Sequence, residues 1–361
     1  MKNIKNLCGP LLIFFTVAVC LGAPSWAADG GGSEGKSAST QAMERVETIL
    51  YGESSKGGLI ERLNSAEKEL FGRGLPGSIS ERHSAILNFL EVGTPEQPSM
   101  LFKLGVAEWI VGHGAVERKP ALARVENLEM ELEGAMQYGK PLAMRVERLL
   151  VSLVADPVAS QEVLLPKATV LKVKFLEELG PAKSKKGDSV GVALTNDLFV
   201  GKVLVAPKGS PIQTVIRDVK QPRRAGIPSE MHLDFKALKP LGPQSVPVTM
   251  GKESKKATDE AQKGIGKGEG AIFGAVGAGV GGAVLLGPVG LLGALFVRGD
   301  AIKIPEGSIA FVETSEDVRV LGYPLPASLQ IDPGATIRES TMGNSFSEKD
   351  IIELPAEQKI N

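Results

Sequence analysis

The sequence predicts an α+β protein of several domains. An amino-terminal helical repeat of short antiparallel helices, with a period of ~21 residues, precedes an antiparallel β sandwich or barrel that carries a glycine-rich apolar helical insertion. Three observations support this fold class. Basic–apolar residue pairs recur between Arg45 and Val146, short alternating runs broken by proline turns begin near Val163, and Ala271 to Val297 contain no charged side chain.

Residues 1–27 have the features of a cleavable export signal. Lys2 and Lys5 precede an apolar stretch from Leu11 to Leu21, and Ser25-Trp26-Ala27 is a small-x-small cleavage site. We therefore expect cleavage after Ala27. The mature chain would be exported and either periplasmic or associated with the outer membrane of a bacterial envelope.

Two other interpretations of this segment are a retained membrane anchor and a lipoprotein signal. The apolar stretch is short for a membrane span, and Cys20 follows Val19 rather than the small residue that precedes a lipid-modified cysteine. Because Cys8 and Cys20 both lie in the signal, we expect no disulfide, thiol nucleophile or thiolate metal site in the mature chain.

The charge balance argues against a nucleic-acid partner. The chain carries 41 basic and 42 acidic residues, whereas proteins that bind phosphate backbones present a basic surface. Residues 28–42 are rich in glycine and serine and predict a flexible linker.

Residues 43–157 predict the helical repeat. Leu63, Ala66 and Leu70 have the i, i+3, i+7 spacing of one helix face. Six segments begin with a basic residue followed by an apolar or similar one: Arg45-Val46, Arg62-Leu63, Arg82-His83, Lys103-Leu104, Arg124-Val125 and Arg145-Val146. The apolar spacing recurs at Val125, Leu128 and Leu132.

Glycine closes many of these segments, and we expect it to end the helices in the left-handed conformation. The glycines concerned are Gly52, Gly72, Gly112 and Gly134. Arg62, Glu67 and their equivalents are expected on the solvated flanks of the helices. Such a repeat is typical of a scaffold for partner binding; a plain helical bundle without a binding role is the alternative.

The β-domain is predicted in two parts, residues 160–250 and 299–337, with a tail at 338–361. Proline followed by x-small-hydroxyl lies between apolar runs in Leu164–Leu176, Val203–Ile216 and Ile302–Thr314, and a similar pattern lies in Leu329–Ile337. Proline fixes a bend and glycine permits positive φ, so each predicts a strand–tight turn–strand corner. In the first stretch Val170, Lys172 and Lys174 alternate with Leu171, Val173 and Phe175, as in a strand with one buried face.

These motifs resemble one family. The turn after Leu165, Gly187-Asp188, the Pro207-Lys208-Gly209-Ser210 turn and a later Pro305-Glu306-Gly307-Ser308 turn look like the β-barrel domain of the conjugation and type IV secretion outer-membrane core channel. The resemblance covers residues 163–320. It implies a β-barrel with a helical apolar insertion that reaches the outer membrane. Family members begin with an inner-membrane helix and a proline-rich stretch, whereas this chain begins with an export signal and a helical repeat.

Residues 251–298 are predicted to be a lysine-rich linker followed by the glycine-rich insertion. Small residues at every fourth position give a helix face that allows close backbone approach. The residues expected to contact membrane or sister subunits are Gly270, Gly274, Gly277, Gly281, Gly282, Gly287 and Pro288.

Three interpretations of the run Ala271–Val297 remain open. It could be a single membrane span, but its lysine-rich amino-terminal flank and the matching turns on both sides argue against that. It could form a helical hairpin bent at Gly287-Pro288, with arms Ala271–Leu286 and Val289–Val297. It could also be buried against its own domain or be partly disordered.

The sequence contains no convincing catalytic, cofactor or metal constellation. His113 and Glu117 have metal-ligand spacing only on a helix, but glycines flank the histidine on both sides. The segment Gly264–Gly270 lacks the Lys-Ser/Thr ending of a phosphate-binding loop. We predict no enzyme activity, no cofactor, no metal and no small-molecule substrate.

Together these features predict a non-enzymatic envelope protein. It would be a structural or assembly component that self-associates, binds other envelope proteins, or contacts the outer membrane through its glycine-rich insertion. The alternative is a soluble periplasmic module whose β-domain recognises peptidoglycan or another envelope polymer.

Overall fold

A computed structural model of the chain describes residues 37–112, 114, 119–180, 183–220, 230–264, 284–286, 294–297, 304–326 and 329. The predicted export signal, most of the linker and the tail at 338–361 lie outside these residues. From Ala38 onward the chain forms one compact unit of mixed helix and sheet.

Six helices form the amino-terminal part. They are α1 (Ala38–Tyr51), α2 (Leu59–Phe71), α3 (Ile79–Leu87), α4 (Met100–Val111), α5 (Ala121–Glu133) and α6 (Leu142–Leu153), with a π-helical segment at Asn88–Val92 after α3. The predicted stripe Leu63, Ala66 and Leu70 is fully buried in the helical core. In α5, however, Leu132 is exposed and Glu129 is buried, so the apolar spacing predicted for that helix is wrong at its end.

Glycine ends these helices as predicted. Gly72, Gly112 and Gly134 are C-caps with φ of 74°, 92° and 73°, and Gly52 follows α1 with φ of 89°. A residue without Cβ adopts this left-handed conformation at little cost, so the chain can turn out of each helix.

The prediction that Arg62 and Glu67 lie on solvated flanks is wrong. Glu67 is fully buried, and its carboxylate accepts hydrogen bonds from Arg82 of the next helix, with Nε–Oε1 at 2.7 Å and Nη2–Oε2 at 2.6 Å. Arg62 makes the equivalent bidentate contact to Glu47 of the preceding helix. A helix flank that faces another helix can retain charge when each carboxylate receives a matched guanidinium.

The β-part contains two antiparallel sheets. Its strands are β1 (Gln161–Leu165), β2 (Val170–Phe175), β3 (Ser189–Leu194), β4 (Leu198–Val200), β5 (Val203–Ala206), β6 (Pro211–Lys220), β7 (Glu230–Leu238), β8 (Val246–Thr249), β9 (Val284–Leu286), β10 (Ala294–Val297), β11 (Ile309–Thr314) and β12 (Val318–Pro324). Six of them close into a barrel in the order β6-β3-β2-β11-β8-β7, with β7 pairing back onto β6.

Apolar side chains fill the barrel. Leu171, Val173 and Phe175 of β2 are at most 3% exposed, while the residues between them are exposed, as the alternation predicted. A barrel with so few strands has an interior that side chains occupy.

The second sheet, in the order β1-β12-β5-β4, lies between the barrel and the helices. Val205 of β5 and Val320 of β12 belong to the barrel core, whereas Leu204 and Tyr323 from the same strands belong to the helical core. Both faces of this sheet are therefore buried, which explains why β5 is a continuous apolar run rather than an alternating one.

The three proline turns share one conformation. The third residue of each has positive φ, at 62° in Ala168, 86° in Gly209 and 80° in Gly307, as a type II turn requires. The first two turns join β1 to β2 and β5 to β6, and the third leads into β11. The predicted strand corners therefore form, and the sandwich-or-barrel alternative resolves to a closed barrel.

The lysine-rich segment differs from the predicted linker, because Lys252–Gly264 forms helix α7, which packs against β2 and β11. The Ser254 N–H donates to Glu313 Oε2 at 2.6 Å, and Ser254 and Thr258 are buried one turn apart. This buried face consists of small hydroxyl side chains, so the apolar spacing that reveals a helix in a sequence is missing.

The glycine-rich run is only partly described, and the described residues are strands. β9 pairs with β10, and β10 pairs with Glu230–His232 of β7. The expected helical arms Ala271–Leu286 and Val289–Val297 are therefore wrong at these positions. β-Branched and large apolar residues cluster there, and their backbone groups hydrogen-bond with an existing strand rather than within a helix.

Candidate functional site

The residues predicted to contact membrane or sister subunits lie outside the described part of the chain. Gly270, Gly274, Gly277, Gly281, Gly282, Gly287 and Pro288 all fall in this undescribed part, as do His113 and Glu117. In the described part no group of three His, Cys, Asp or Glu side chains could hold a metal ion. None of the helices described there is long and apolar enough to cross a bilayer.

A cleft of about 1060 Å³ lies between the helices and the barrel. Residues of α1, α4 and the start of α5 form one wall. The ends of β2 and β3, the β5–β6 turn and the β7–β8 connection form the other. Since these segments are far apart in the chain, only the tertiary fold assembles this cleft.

Asp197 fixes the two walls relative to each other. Its Oδ2 accepts a hydrogen bond from Trp109 Nε1 of α4 at 2.9 Å, and its Oδ1 accepts one from the backbone N–H of Lys208 at 2.6 Å. The Trp109 ring also makes edge contacts with Phe199 and Tyr323, with ring centroids 6.3 and 6.5 Å apart. One carboxylate thus connects a helix with the proline turn that borders the cleft.

The floor of the cleft depends on a close approach between α4 and the barrel. A Cβ atom on Gly105 would lie 2.7 Å from Leu241 Cδ2, so a larger residue would require the Leu241 side chain to move. Leu241 is anchored there by its own N–H, which donates to the carbonyl of Val205 at 3.0 Å. Helix α4 and the β7–β8 connection therefore meet closely at this side of the cleft.

The charge of the lining is strongly positive. Six basic residues line the cleft against one acidic residue, Glu91. Glu91 is bound by Arg45, with Nε–Oε2 at 2.8 Å, and Arg124 is bound by the buried Glu108. No carboxylate forms an ion pair with Lys119, Lys174 or Lys208 within the described part of the chain.

One hydroxyl in the lining differs from its equivalents in the other two turns. Thr169 Oγ1 and Ser308 Oγ each donate to the proline carbonyl of their own turn, at 2.7 Å. Ser210 occupies the same position in the third turn, is 2% exposed and lines the cleft. Its hydroxyl has no hydrogen-bond partner among the described residues.

The sequence did not predict this cleft. The proline turn at 207–210 was recognised as a corner, but nothing in the spacing of Lys119, Lys174 and Lys208 indicates that they share a surface. The turn at 207–210 gives a better indication of the cleft. Its Lys208 lies in a strand corner, and a long charged side chain there is expected to extend into solvent.

Comparison with known proteins adds little. No family model matches the chain, and no curated protein does. Among solved structures the chain is similar to ComB10 of the Com Type IV secretion system of Helicobacter pylori, at 14% identity and a TM-score of 0.21, over 45% of this chain and 92% of ComB10. An overlap this low carries no argument about fold or function.

Proposed function

We propose that the chain is a non-enzymatic structural or assembly component of a bacterial cell envelope. It joins its own copies, other envelope proteins or the outer membrane through the glycine-rich insertion at residues 271–297. The observation that carries this proposal is the pairing of β10 with β7, which makes the described part of the insertion a lateral continuation of the barrel sheet.

The pairing along β7 explains why the described strands of the insertion extend the sheet beyond the closed barrel. Ala237 and Leu238, at the end of β7, pair with β8, whereas Glu230–His232, at its start, pair with β10 on the same edge. The other edge of Glu230–His232 pairs with Asp218–Lys220 of β6. The start of β7 therefore belongs to a ribbon of β6, β7, β10 and β9 that continues past the end of β8.

The outer edge of this ribbon favours assembly. β9 pairs with β10 and with no other strand in the described part of the chain. An edge strand presents unpaired N–H and C=O groups and is a usual place for another chain to add.

The helices and the apolar core of the barrel favour a scaffold over a channel. In our proposal α1–α6 are successive units of a repeat, because four pairs of consecutive helices are joined by the same buried Arg–Glu contact. The apolar core of the barrel leaves no lumen in one copy. Passage of a substrate would need an opening between several copies.

Fractionation of the expressed full chain tests this proposal. A variant in which residues 271–297 are replaced by a glycine–serine linker of equal length is the comparison, and its circular dichroism and thermal unfolding report whether the barrel persists. We expect the full chain in the membrane fraction or in oligomers by mass measurement in detergent, and the variant as a soluble monomer. Soluble monomers for both proteins, or equal assembly of both, would refute the proposal.

A second candidate is a soluble periplasmic module whose β-domain recognises peptidoglycan or another envelope polymer. This module needs the closed barrel and not the insertion. Pull-down on purified cell wall separates the candidates, because the linker variant would still bind if the polymer model is right.

A further inference from the structure

We propose that the cleft between the helices and the barrel binds an extended acidic peptide segment of another protein, one in which carboxylates alternate with apolar side chains. The cleft volume of about 1060 Å³ is slightly above the ~300–1,000 Å³ typical of small-molecule sites. It suits a few residues of extended chain.

The charges in the lining select an anionic ligand. Lys119 lies on the helical wall, whereas Lys174 and Lys208 lie on the barrel wall, so cations approach the same space from both sides. The arginines of the lining are already neutralised by Glu91 and Glu108. A ligand carboxylate would therefore meet the three lysines without displacing an existing ion pair.

The apolar part of the lining selects a peptide among anionic ligands. Ile49 and Leu101 of the helices face Leu194 and Leu241 of the barrel side, and prolines lie between the basic residues. Among the residues that the structure describes, no aromatic side chain lines the cleft, so bases would find no surface on which to stack. A polysaccharide or polyphosphate would leave the leucine and isoleucine surfaces without an apolar partner.

Ser210 supplies a hydrogen-bonding group for the ligand backbone. The residue is only 2% exposed but lines the cleft, and its hydroxyl has no partner among the described residues, whereas the equivalent Ser308 donates to its own turn. A hydroxyl that opens onto the cleft can donate to a peptide carbonyl or carboxylate there.

The walls are preformed, which lowers the cost of binding. The bonds from Trp109 and Lys208 to Asp197 hold the turn against α4. On binding, the ligand loses conformational entropy, whereas the protein, whose walls are already held in place, loses little.

Fluorescence anisotropy with the full chain tests the proposal. The probe is a labelled peptide in which glutamate alternates with leucine, and its matched control has glutamine in place of glutamate. We expect the acidic peptide to bind, the glutamine peptide to bind at least about tenfold more weakly, and binding of the acidic peptide to weaken as salt is added.

Matched substitutions locate the site. Lys174→Gln combined with Lys208→Gln should weaken binding about tenfold. The control is Lys167→Gln combined with Lys172→Gln: Lys167 is in the equivalent turn, Lys172 is on the same strand and face as Lys174, and neither lines the cleft. Ser210→Ala should weaken binding several-fold without changing the unfolding temperature, while Ser308→Ala should leave binding unchanged.

Three outcomes would overturn the proposal. The acidic peptide fails to bind, the control lysine pair weakens binding as much as the cleft pair, or a sulfated polysaccharide competes as strongly as the acidic peptide. The last result would assign the cleft to an anionic polymer. Thermal unfolding of each variant distinguishes loss of binding from loss of the fold.

Discussion

At the scale of single residues, His83 is a buried polar side chain whose lost hydration is not replaced by hydrogen bonds from the described residues. It lies in α3 at 3% exposure, and neither ring nitrogen has a hydrogen-bond partner within the described part of the chain. Burial lowers its pKa below the ordinary value of 6.5, the nearby charge of Arg82 lowers it further, and Glu67 opposes that shift. The folded protein therefore disfavours the charged imidazole.

This burial predicts a pH dependence of stability. Because the pKa of His83 is lowered on folding, the unfolded chain binds the additional proton, and stability should fall as pH drops below 6.5 towards the folded pKa. The slope contributed by one such group is at most about 1.4 kcal/mol per pH unit. Urea unfolding of the full chain between pH 5 and 7 measures it.

His83→Leu is the comparison for this experiment, since it keeps an apolar side chain and removes the titration. The carboxylates Glu47, Glu67 and Glu129 have pKa values below 4.5 and remain charged throughout the range. If the free energy of unfolding changes with pH in the same way for both proteins, His83 does not contribute to the pH dependence of stability.

At the scale of elements, the helices are connected by a recurring pair of charges. Glu129 of α5 accepts from Arg145 of α6 with Nε–Oε1 at 2.8 Å and Nη2–Oε2 at 2.7 Å, and also from the backbone N–H of Gln137 at 3.0 Å. Burial alone would raise the pKa of Glu129, but the bond from Arg145, with smaller contributions from Gln137 and nearby charge, lowers it. Glu47, Glu67 and Glu129 each accept from a backbone N–H in the loop after their own helix and from an arginine of the next helix.

Breaking one pair should destabilise the protein strongly. Arg145→Met leaves the Glu129 carboxylate buried without its counter-charge, and we expect a loss of about 3–5 kcal/mol in the free energy of unfolding. Arg148→Met is the control on the same helix, because its partner Glu133 lies 2.9 Å away but Arg148 is 45% exposed. That variant should lose less than about 1 kcal/mol in urea unfolding, and equal losses for the two would contradict the role of burial.

Element types could be predicted from the sequence wherever one periodicity dominates. The glycine caps, the buried face of β2 and the three proline turns all follow from local chemistry. The charged flanks, helix α7 and strands β9 and β10 could not be predicted. The charged residues of the flanks and the polar residues of α7 are of types that usually face water, and the residues of β9 and β10 were expected in a helix. In each case a contact with another part of the chain decides the structure.

At the scale of the whole molecule, the four-stranded sheet joins two cores. Leu204 and Tyr323 extend into the helical core while Val205 and Val320 extend into the barrel. The four lysines that line the cleft come from four separated segments of the chain. Sequence spacing carries no information on such a site, so the predicted contacts and the observed cleft involve different residues.

The joint between helices and barrel can be tested at Asp197. Asp197→Ala removes the acceptor of both Trp109 Nε1 and the Lys208 N–H, and we expect a loss of about 1–3 kcal/mol together with a red shift of Trp109 fluorescence. The chain has two tryptophans, and the other, Trp26, is in the predicted export signal.

Asp317→Ala is the matched control for this joint. Asp317 Oδ1 accepts from the Lys167 N–H at 2.6 Å in the equivalent turn but does not contact a tryptophan. Its loss should lower stability without shifting the emission. A red shift in the control variant would indicate that the fluorescence does not report on the joint.

The distance along the chain between pairing strands has a consequence for the order of folding. β1 pairs with β12, and Asp317 holds the backbone of Lys167 across 150 residues of sequence, whereas Arg145 reaches Glu129 across 16. Contacts between near neighbours in sequence form fast, while closing a long loop is slow. During synthesis from the amino terminus the helical part can acquire its contacts first. The barrel cannot close until β11 has emerged to pair with β2, and the second sheet cannot form its β1–β12 pair until β12 has emerged.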